Sequence, residues 1–136
     1  MGIVYADITL KNLNDVITAN IGVISEGEIR QKTVQAIVDT GAISMVINEE
    51  LCEELGLEIT GKRQVTYGNN ASEIVNIAGD LEVHWKDRSF PCPALITSTD
   101  GPVLLGVIPL EGLDLIVDPV RQKLVGAHGD KVVYRV

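Results

Sequence analysis

The feature that most constrains the fold of this chain is a succession of segments rich in Ile, Val and Leu, separated by Asn, Asp and Gly. β-branched residues favour strands, and residues that accept turn conformations favour reversals between strands. The aromatic share is only 4%, so the core must be aliphatic. We therefore expect an all-β chain that begins with antiparallel strands over residues 3–10, 16–24 and 29–38.

The length of the chain fits a single domain over residues 1–136. At 136 residues it is long enough for its own hydrophobic core and too short for two full lobes, and an apolar share of 46% excludes disorder. No apolar stretch reaches the roughly 18 residues of a membrane span, and the N-terminus lacks the basic region of a signal peptide. We expect no membrane partner.

The charge distribution argues against nucleic acid as a partner. The formal net charge is −8, from 19 acidic and 11 basic residues, and no cluster of Lys and Arg stands out. Binding to a phosphate backbone requires such a cluster.

Cysteine and histidine give no sign of a metal or cofactor. Cys52 and Cys92 are too few for a disulfide framework and lack metal-ligand spacing, so we expect free, packed thiols in a cytoplasmic protein. His84 and His128 are isolated from one another and from any ligand pattern, and we predict that both lie on the surface. The sequence predicts neither a cofactor nor a metal.

The tetrapeptide Asp39-Thr40-Gly41-Ala42 lies between two apolar runs and occurs once in the chain. Hydrolysis of a peptide bond without a metal or a covalent intermediate needs a base and an acid, and two carboxylates that share a proton can provide both. A single turn of this kind supplies half of that pair. The motif therefore predicts a partner chain as well as an active site.

Helix signals occur in two places downstream of this turn. Asn48 is a suitable N-cap, the two residues after it are acidic, and Gly56 supplies a stop. Pro109 can lie in the first turn of a short helix over residues 108–112. The remaining apolar segments are predicted strands: residues 44–47, 64–67, 73–77, 80–86, 89–97, 103–106, 115–117, 123–125 and 131–136.

Three segments join or end the predicted strands, and the first and third of them bear on function. Gly68-Asn69-Asn70-Ala71 joins two strands as a hairpin tip, because Gly and Asn accept positive φ angles. Lys86-Asp87-Arg88 is the turn of a second hairpin. Leu104-Leu105-Gly106 is an apolar strand whose final glycine permits close approach of another backbone.

These features, taken in order, resemble the retroviral-type (retropepsin-like) aspartic proteases, in particular the small bacterial and archaeal members of clan AA. The shared features are the turn at Asp39 after an apolar strand, the Gly/Asn hairpin tip, and Leu104-Leu105-Gly106 before a short helix. The resemblance covers about residues 34–125. It implies a closed, β-barrel-like aspartic protease fold with one or two short helices, and a homodimer that hydrolyses peptide or protein substrates.

By the same resemblance, Asp39 of each chain contributes one catalytic carboxylate. Thr40 braces one subunit's loop against the other's, and Gly41 lets the loop fold tightly so that the two carboxylates come close. Ala42 stands where some family members have a Ser that can donate a hydrogen bond to the carboxylate. Without that bond the dyad should titrate higher, with activity at mildly acidic to near-neutral pH.

The hairpin tip is expected to act as a flap over an extended peptide that pairs as an added strand. Ile43 and Val107 depart from the family pattern, because many retropepsins have a paired Asp and Arg there that help to anchor the substrate. Substrate specificity therefore does not transfer from the family. The residues expected to bind substrate are Ala42, Ile43, Tyr67, Gly68 and Asn69.

Other interpretations remain open from the sequence. The chain could be a non-catalytic dimeric β module for peptide binding or assembly, or a self-processing domain cut from a larger precursor. Asp39 could be an ordinary turn residue, and the hairpin tip a plain solvent-exposed turn. Asp114 and Asp118 lack a Thr/Gly turn, so we do not expect either to supply a second carboxylate within the chain.

Overall fold

The computed structural model describes residues 2–136, which form mostly strands with a few short helices. The helices are α1 (Leu13–Asn20), α2 (Glu49–Leu55) and α3 (Val107–Gly112), with a 3-10 turn at Glu26–Glu28. The strands are β1 (Val4–Asn12), β2 (Gln31–Val38), β3 (Met45–Asn48), β4 (Glu58–Thr66), β5 (Ser72–Trp85), β6 (Arg88–Ser98), β7 (Leu104–Leu105), β8 (Leu115–Asp118) and β9 (Lys123–Gly126).

The first seven strands form one sheet in the order β1-β2-β7-β3-β6-β5-β4, and β8 and β9 form a separate hairpin. Strand β1 also pairs with β5. In the series β1-β2-β7-β3-β6-β5, the last strand is therefore hydrogen-bonded to the first, and we call this series the ring of strands. Strand β5 makes this possible through its length of 14 residues. Its first part pairs with β4 and its last part, from Leu81 to His84, pairs with β1.

The core is aliphatic, as the composition predicts, and combines side chains of the large sheet with side chains of α2, α3 and the β8–β9 hairpin. Burial alternates along β1, where Ile8 and Leu10 face inwards and their neighbours face outwards. Each such side chain contributes about 1.5–3 kcal/mol when it is fully buried. The largest fully buried side chains are Ile8, Leu10, Met45, Ile47, Leu55, Leu81, Leu105, Leu113, Val83 and Pro109.

The predicted strand over residues 16–24 is wrong, because this segment contributes to helix α1 and the turn after it. The side chain of Asn12 caps the helix by accepting from the backbone N–H of Asp15 at 3.1 Å, and its amide donates to the carbonyl of Leu55 at 2.9 Å. A cap of this kind stabilises a helix by about 1 kcal/mol, enough to outweigh weak β propensities. The described residues thus contain three α-helices rather than one or two.

The predicted strand over residues 131–136 is also wrong, since only Lys131 makes a β-bridge, with His128. The backbone N–H of Val133 donates instead to the Asp114 carboxylate at 2.9 Å, and the hydroxyl of Tyr134 donates to the carbonyl of Gly112 at 2.6 Å. Hydrogen bonds between side chains and backbone groups therefore hold this segment, in place of the strand pairing that its apolar pattern predicts.

The other predicted elements are confirmed within two residues, except that β4 begins at Glu58, six residues before the predicted segment 64–67. Helix α2 begins after Asn48, whose side chain accepts from Leu51 N–H, and ends at Gly56 in the left-handed conformation. Both predicted hairpins are present, although their inner strands fuse into the single strand β5. Within residues 2–136, no helix has the length and apolar character needed to cross a membrane.

Candidate active site

The Asp39 turn follows directly from the end of β2 and folds back on its own carboxylate. The backbone N–H of Gly41 donates to Oδ1 of Asp39 at 2.9 Å, and the N–H of Ala42 donates to the Asp39 carbonyl at 3.1 Å. A Cβ atom on Gly41 would lie 3.2 Å from the same carboxylate oxygen, which is tighter than most side chains accept. The turn thus places a half-buried Asp39 carboxylate in a fixed orientation, with Oδ2 pointing to no protein donor in residues 2–136.

Backbone hydrogen bonds join the Asp39 turn to the segment that runs from β7 into α3. Asp39 N–H donates to the carbonyl of Leu105 at 3.0 Å, while Val107 N–H donates to the carbonyl of Ala42 at 2.9 Å. Between these two bonds lies Gly106, where a Cβ atom would stand 2.2 Å from the carbonyl oxygen of Ser44. The predicted close approach at Gly106 is confirmed, and it explains why a strand ending in glycine accompanies the turn.

The hairpin between β4 and β5 closes with a short, polar tip. Tyr67 N–H donates to the Ala71 carbonyl at 2.8 Å, and the Asn69 side chain accepts from Ala71 N–H at 2.9 Å. Tyr67 also donates its hydroxyl to the Glu73 carboxylate across the hairpin. This hydrogen bond raises the pKa of the Tyr67 hydroxyl, with burial and the negative charge of Glu73 as smaller causes.

A cleft of about 850 Å³ joins the Asp39 turn to this hairpin. Six of the eight residues proposed from the sequence line it: Asp39, Gly41, Ala42, Ile43, Tyr67 and Gly68. The other two do not reach it in residues 2–136, since Thr40 is exposed on the outside of the turn and Asn69 caps the hairpin tip. The structure therefore brings the predicted turn and the predicted hairpin together around one space.

Sequence reasoning missed most of the cleft wall. Strand β6 pairs in parallel with β3, the strand that follows the Asp39 turn, and residues 93–95 and 97 line the cleft together with the exposed end of β4. No local pattern predicts which strands become neighbours across a sheet. The additional lining residues are Ser44, Val46, Arg63, Gln64, Val65, Thr66, Ile77, Pro93, Ala94, Leu95, Thr97 and Leu104.

Asp39 is the single carboxylate among the lining residues that the structure describes. Asp114, the in-chain candidate considered above, is buried elsewhere, where it accepts from His128 and from Val133 N–H. Asp118 accepts from Val120 N–H and Arg121 N–H in the turn after β8, as its sequence predicts. One chain thus brings one carboxylate to the cleft.

The cysteines and histidines lie outside the cleft lining among residues 2–136. Both thiols are free and buried, and burial raises the pKa of Cys92 to about 12, which makes it a poor nucleophile. His128 is exposed, as predicted, whereas His84 is half-buried because its strand is paired on both sides. In the same residues, no three His, Cys, Asp or Glu side chains come together as a set of metal ligands.

Comparison with known families identifies the group to which this fold and turn belong. The sequence model of the family described as "gag-polyprotein putative aspartyl protease" matches residues 25–111. The chain belongs to this aspartyl protease family. The matched segment includes the Asp39 turn, the β4–β5 hairpin and Gly106, and so the whole of the cleft described above. No curated protein matches the chain.

The family match confirms the retropepsin-like resemblance in its main point, an aspartyl protease domain. Strand β1 and helix α1 precede the matched segment, and the β8–β9 hairpin follows it. Ile43 and Val107 both lie within the matched segment, and of the two only Ile43 is among the cleft-lining residues that the structure describes.

Proposed function

We propose that the protein is an aspartic endopeptidase that acts as a homodimer, with Asp39 of each copy forming one catalytic dyad. The observation that carries the proposal is the single Asp39 carboxylate, held at the floor of a cleft that can accept an extended peptide. In the dyad, one carboxylate acts as general base for the attacking water. The other protonates the carbonyl oxygen and later the leaving nitrogen.

A two-fold axis beside the Asp39 turn would bring the two carboxylates together. Exposed apolar side chains next to the turn support such an interface: Ile43 is 71% exposed, and Ile108 is 44% exposed. The two residues are neighbours, because Ile108 N–H donates to the Ile43 carbonyl at 2.8 Å. Thr40 is exposed on the same turn, where its hydroxyl can brace the second copy's loop.

In this proposal the sheet supports the Asp39 turn, and the β4–β5 hairpin covers the bound peptide. The ring of strand pairings supports a closed barrel that holds the Asp39 turn rigidly, and the β4–β5 hairpin is the flap. When the flap closes, it excludes water and offers backbone groups to the peptide. The two free cysteines support a reducing, cytoplasmic location, and the order of the Asp39 turn, the hairpin and Gly106 supports a place in the bacterial and archaeal branch of the clan.

Substitution of Asp39 by Asn tests the activity. We expect Asp39→Asn to abolish cleavage of a random-sequence peptide library and to leave the fold and the oligomeric state unchanged, because Asn retains the oxygen that accepts from Gly41 N–H. The matched control is Asp87→Asn, in the exposed turn between β5 and β6. A wild-type protein that cleaves nothing at any pH while it dimerises would instead support a non-catalytic peptide-binding module.

Mixing the two proteins tests the shared dyad. If each site needs two Asp39 residues, a large excess of the Asp39→Asn chain sequesters wild-type chains in inactive heterodimers, and the rate per wild-type chain falls. If the excess Asp39→Asn chain lowers the rate no more than the same volume of buffer does, the proposal of a shared dyad is wrong. Because Ala42 offers no hydroxyl to the dyad, we also expect maximal activity at mildly acidic to near-neutral pH, and an optimum well below pH 4 would contradict this.

A further inference from the structure

The cleft is lined by one positively charged side chain in addition to its candidate catalytic carboxylate. Among the lining residues that the structure describes, Asp39 and Arg63 are the two charged side chains, and the rest are apolar or neutral. Arg63 lies on β4, directly opposite Val75 in the β4–β5 hairpin. Arg63 therefore belongs to the flap strand and lines the same cleft as Asp39.

Most N–H donors of the Arg63 guanidinium have no partner in residues 2–136. Its one side-chain hydrogen bond is from Nη1 to the carbonyl of Lys62, at 2.9 Å, whereas guanidinium groups carry five N–H donors. In residues 2–136, no carboxylate oxygen lies within 4.0 Å of it. Arg30 shows the contrast, since its guanidinium binds both oxygens of Asp15, at 2.8 and 3.0 Å.

We propose that Arg63 selects substrates that carry a carboxylate near the cleaved bond, so that the preferred peptides combine apolar residues with one Asp or Glu. This inference rests on the proposed peptidase function and adds the substrate class. A planar guanidinium pairs with a carboxylate through two parallel hydrogen bonds, and that geometry distinguishes Glu from Gln. The apolar remainder of the wall accepts the other side chains.

The overall charge of the protein makes this cation more important for acidic substrates. At a net charge of −8, the surface repels acidic peptides over long distances, and Arg63 gives them one favourable contact inside the cleft. Arg63 is exposed in the free protein, so the ion pair is partly screened by water and salt. We expect a preference of up to about fivefold rather than an absolute requirement.

The experiment compares cleavage-site profiles of four proteins on one library of random-sequence synthetic peptides. The proteins are the wild type, Arg63→Gln, Arg63→Glu and the matched control Lys62→Gln, which removes the neighbouring exposed cation of β4 that does not line the cleft. We expect enrichment of Asp and Glu at a position beside the cleaved bond in the wild type, on either side of that bond because each copy of the homodimer carries one Arg63. The enrichment should disappear in Arg63→Gln, change to Lys and Arg in Arg63→Glu, and persist in Lys62→Gln.

Matched synthetic peptides that differ only by Glu or Gln at that position give the size of the effect. The Glu peptide should have the higher kcat/KM with the wild type at low salt, the two peptides should converge with Arg63→Gln, and added salt should reduce the preference. Cleavage without an acidic preference, or with one that survives in Arg63→Gln, overturns the role of Arg63 and leaves the peptidase proposal intact. Absence of cleavage by the wild type overturns the peptidase proposal itself.

Discussion

Gly106 lies so close to Ser44 that a Cβ atom on the glycine would stand 2.2 Å from the Ser44 carbonyl oxygen and 2.8 Å from that of Ala42. Backbone atoms cannot yield as a flexible side chain can. The contact ties the β7–α3 junction to the far side of the Asp39 turn, where Val107 N–H binds the Ala42 carbonyl. The position of the candidate catalytic carboxylate of Asp39 therefore depends on the absence of a side chain at Gly106.

Gly106→Ala should destabilise the fold and displace the Asp39 turn. Relief of the clash requires movement of backbone, and overpacking of this kind costs about 1–3 kcal/mol or more in the free energy of unfolding, measured by urea denaturation. The control is Gly27→Ala, where the nearest atom to a new Cβ is 4.0 Å away. Equal stability of the two variants would show that the turn is not held by this contact.

The buried guanidinium of Arg88 should be essential for stability. Its Nη1 donates to the carbonyls of Leu113 and Asp114 at 3.0 and 2.8 Å, and its Nη2 donates to the carbonyl of Gly129. Arg88→Met leaves these acceptors without their donors, and we expect the free energy of unfolding to fall by about 2–4 kcal/mol.

The matched control for Arg88 is Arg121→Met. Arg121 is 70% exposed and lies 3.9 Å from Asp118, so its loss should cost less than about 1 kcal/mol in the same denaturation experiment. A similar cost for both variants would mean that the carbonyls around Arg88 find water instead.

Asp114 should make stability depend on acid pH. The backbone N–H of Val133, followed by the His128 side chain, holds the pKa of Asp114 below its ordinary value of 3.8, although burial opposes the shift. A carboxylate whose pKa is lower in the folded state adds stability that is complete above the unfolded-state pKa. That stability is lost as the pH falls through the folded-state pKa.

Asp114→Asn should therefore be less stable than the wild type near neutral pH, and the difference should shrink below about pH 4. Asn is the suitable replacement because Asp114 has a φ of 53°, which Asn tolerates. Urea denaturation at a series of pH values measures the difference, with Asp87→Asn as the control. A difference that stays constant from pH 7 to the acid range would contradict the linkage.

Local chemistry explains which elements were predictable from sequence. Asn48 and Gly56 mark the two ends of α2, and Gly68 with its Asn neighbours marks a hairpin tip, because caps and turns act within a few residues. Helix α1 was missed although Asn12 is a capping residue. Ile17, Ile21 and Val23 gave that segment a strand-like composition, yet all three are exposed.

The burial of Arg88 and the exposure of Arg63 show the limit of such reasoning. Arg88 lies in the predicted turn of the second hairpin and Arg63 directly precedes the predicted strand over residues 64–67, and no residue close by in the sequence indicates which of the two is buried. The first donates to carbonyls from residues 113, 114 and 129, and the second lines a cleft with residues of β3 and β6. These partners are distant in sequence, so only the assembled sheet determines which role each arginine takes.

The sequence by itself determined the Asp39 turn, the apolar strand that ends in Gly106 and the presence of one carboxylate turn per chain, because residue type and local spacing decide these. The tertiary structure decided the rest of the site. It paired β7 with β2 and β6 with β3, and it brought the exposed end of β4 to the same cleft, since pairing between distant strands depends on how the whole aliphatic core closes. The cleft, and the arginine within it, exist only once that core has formed.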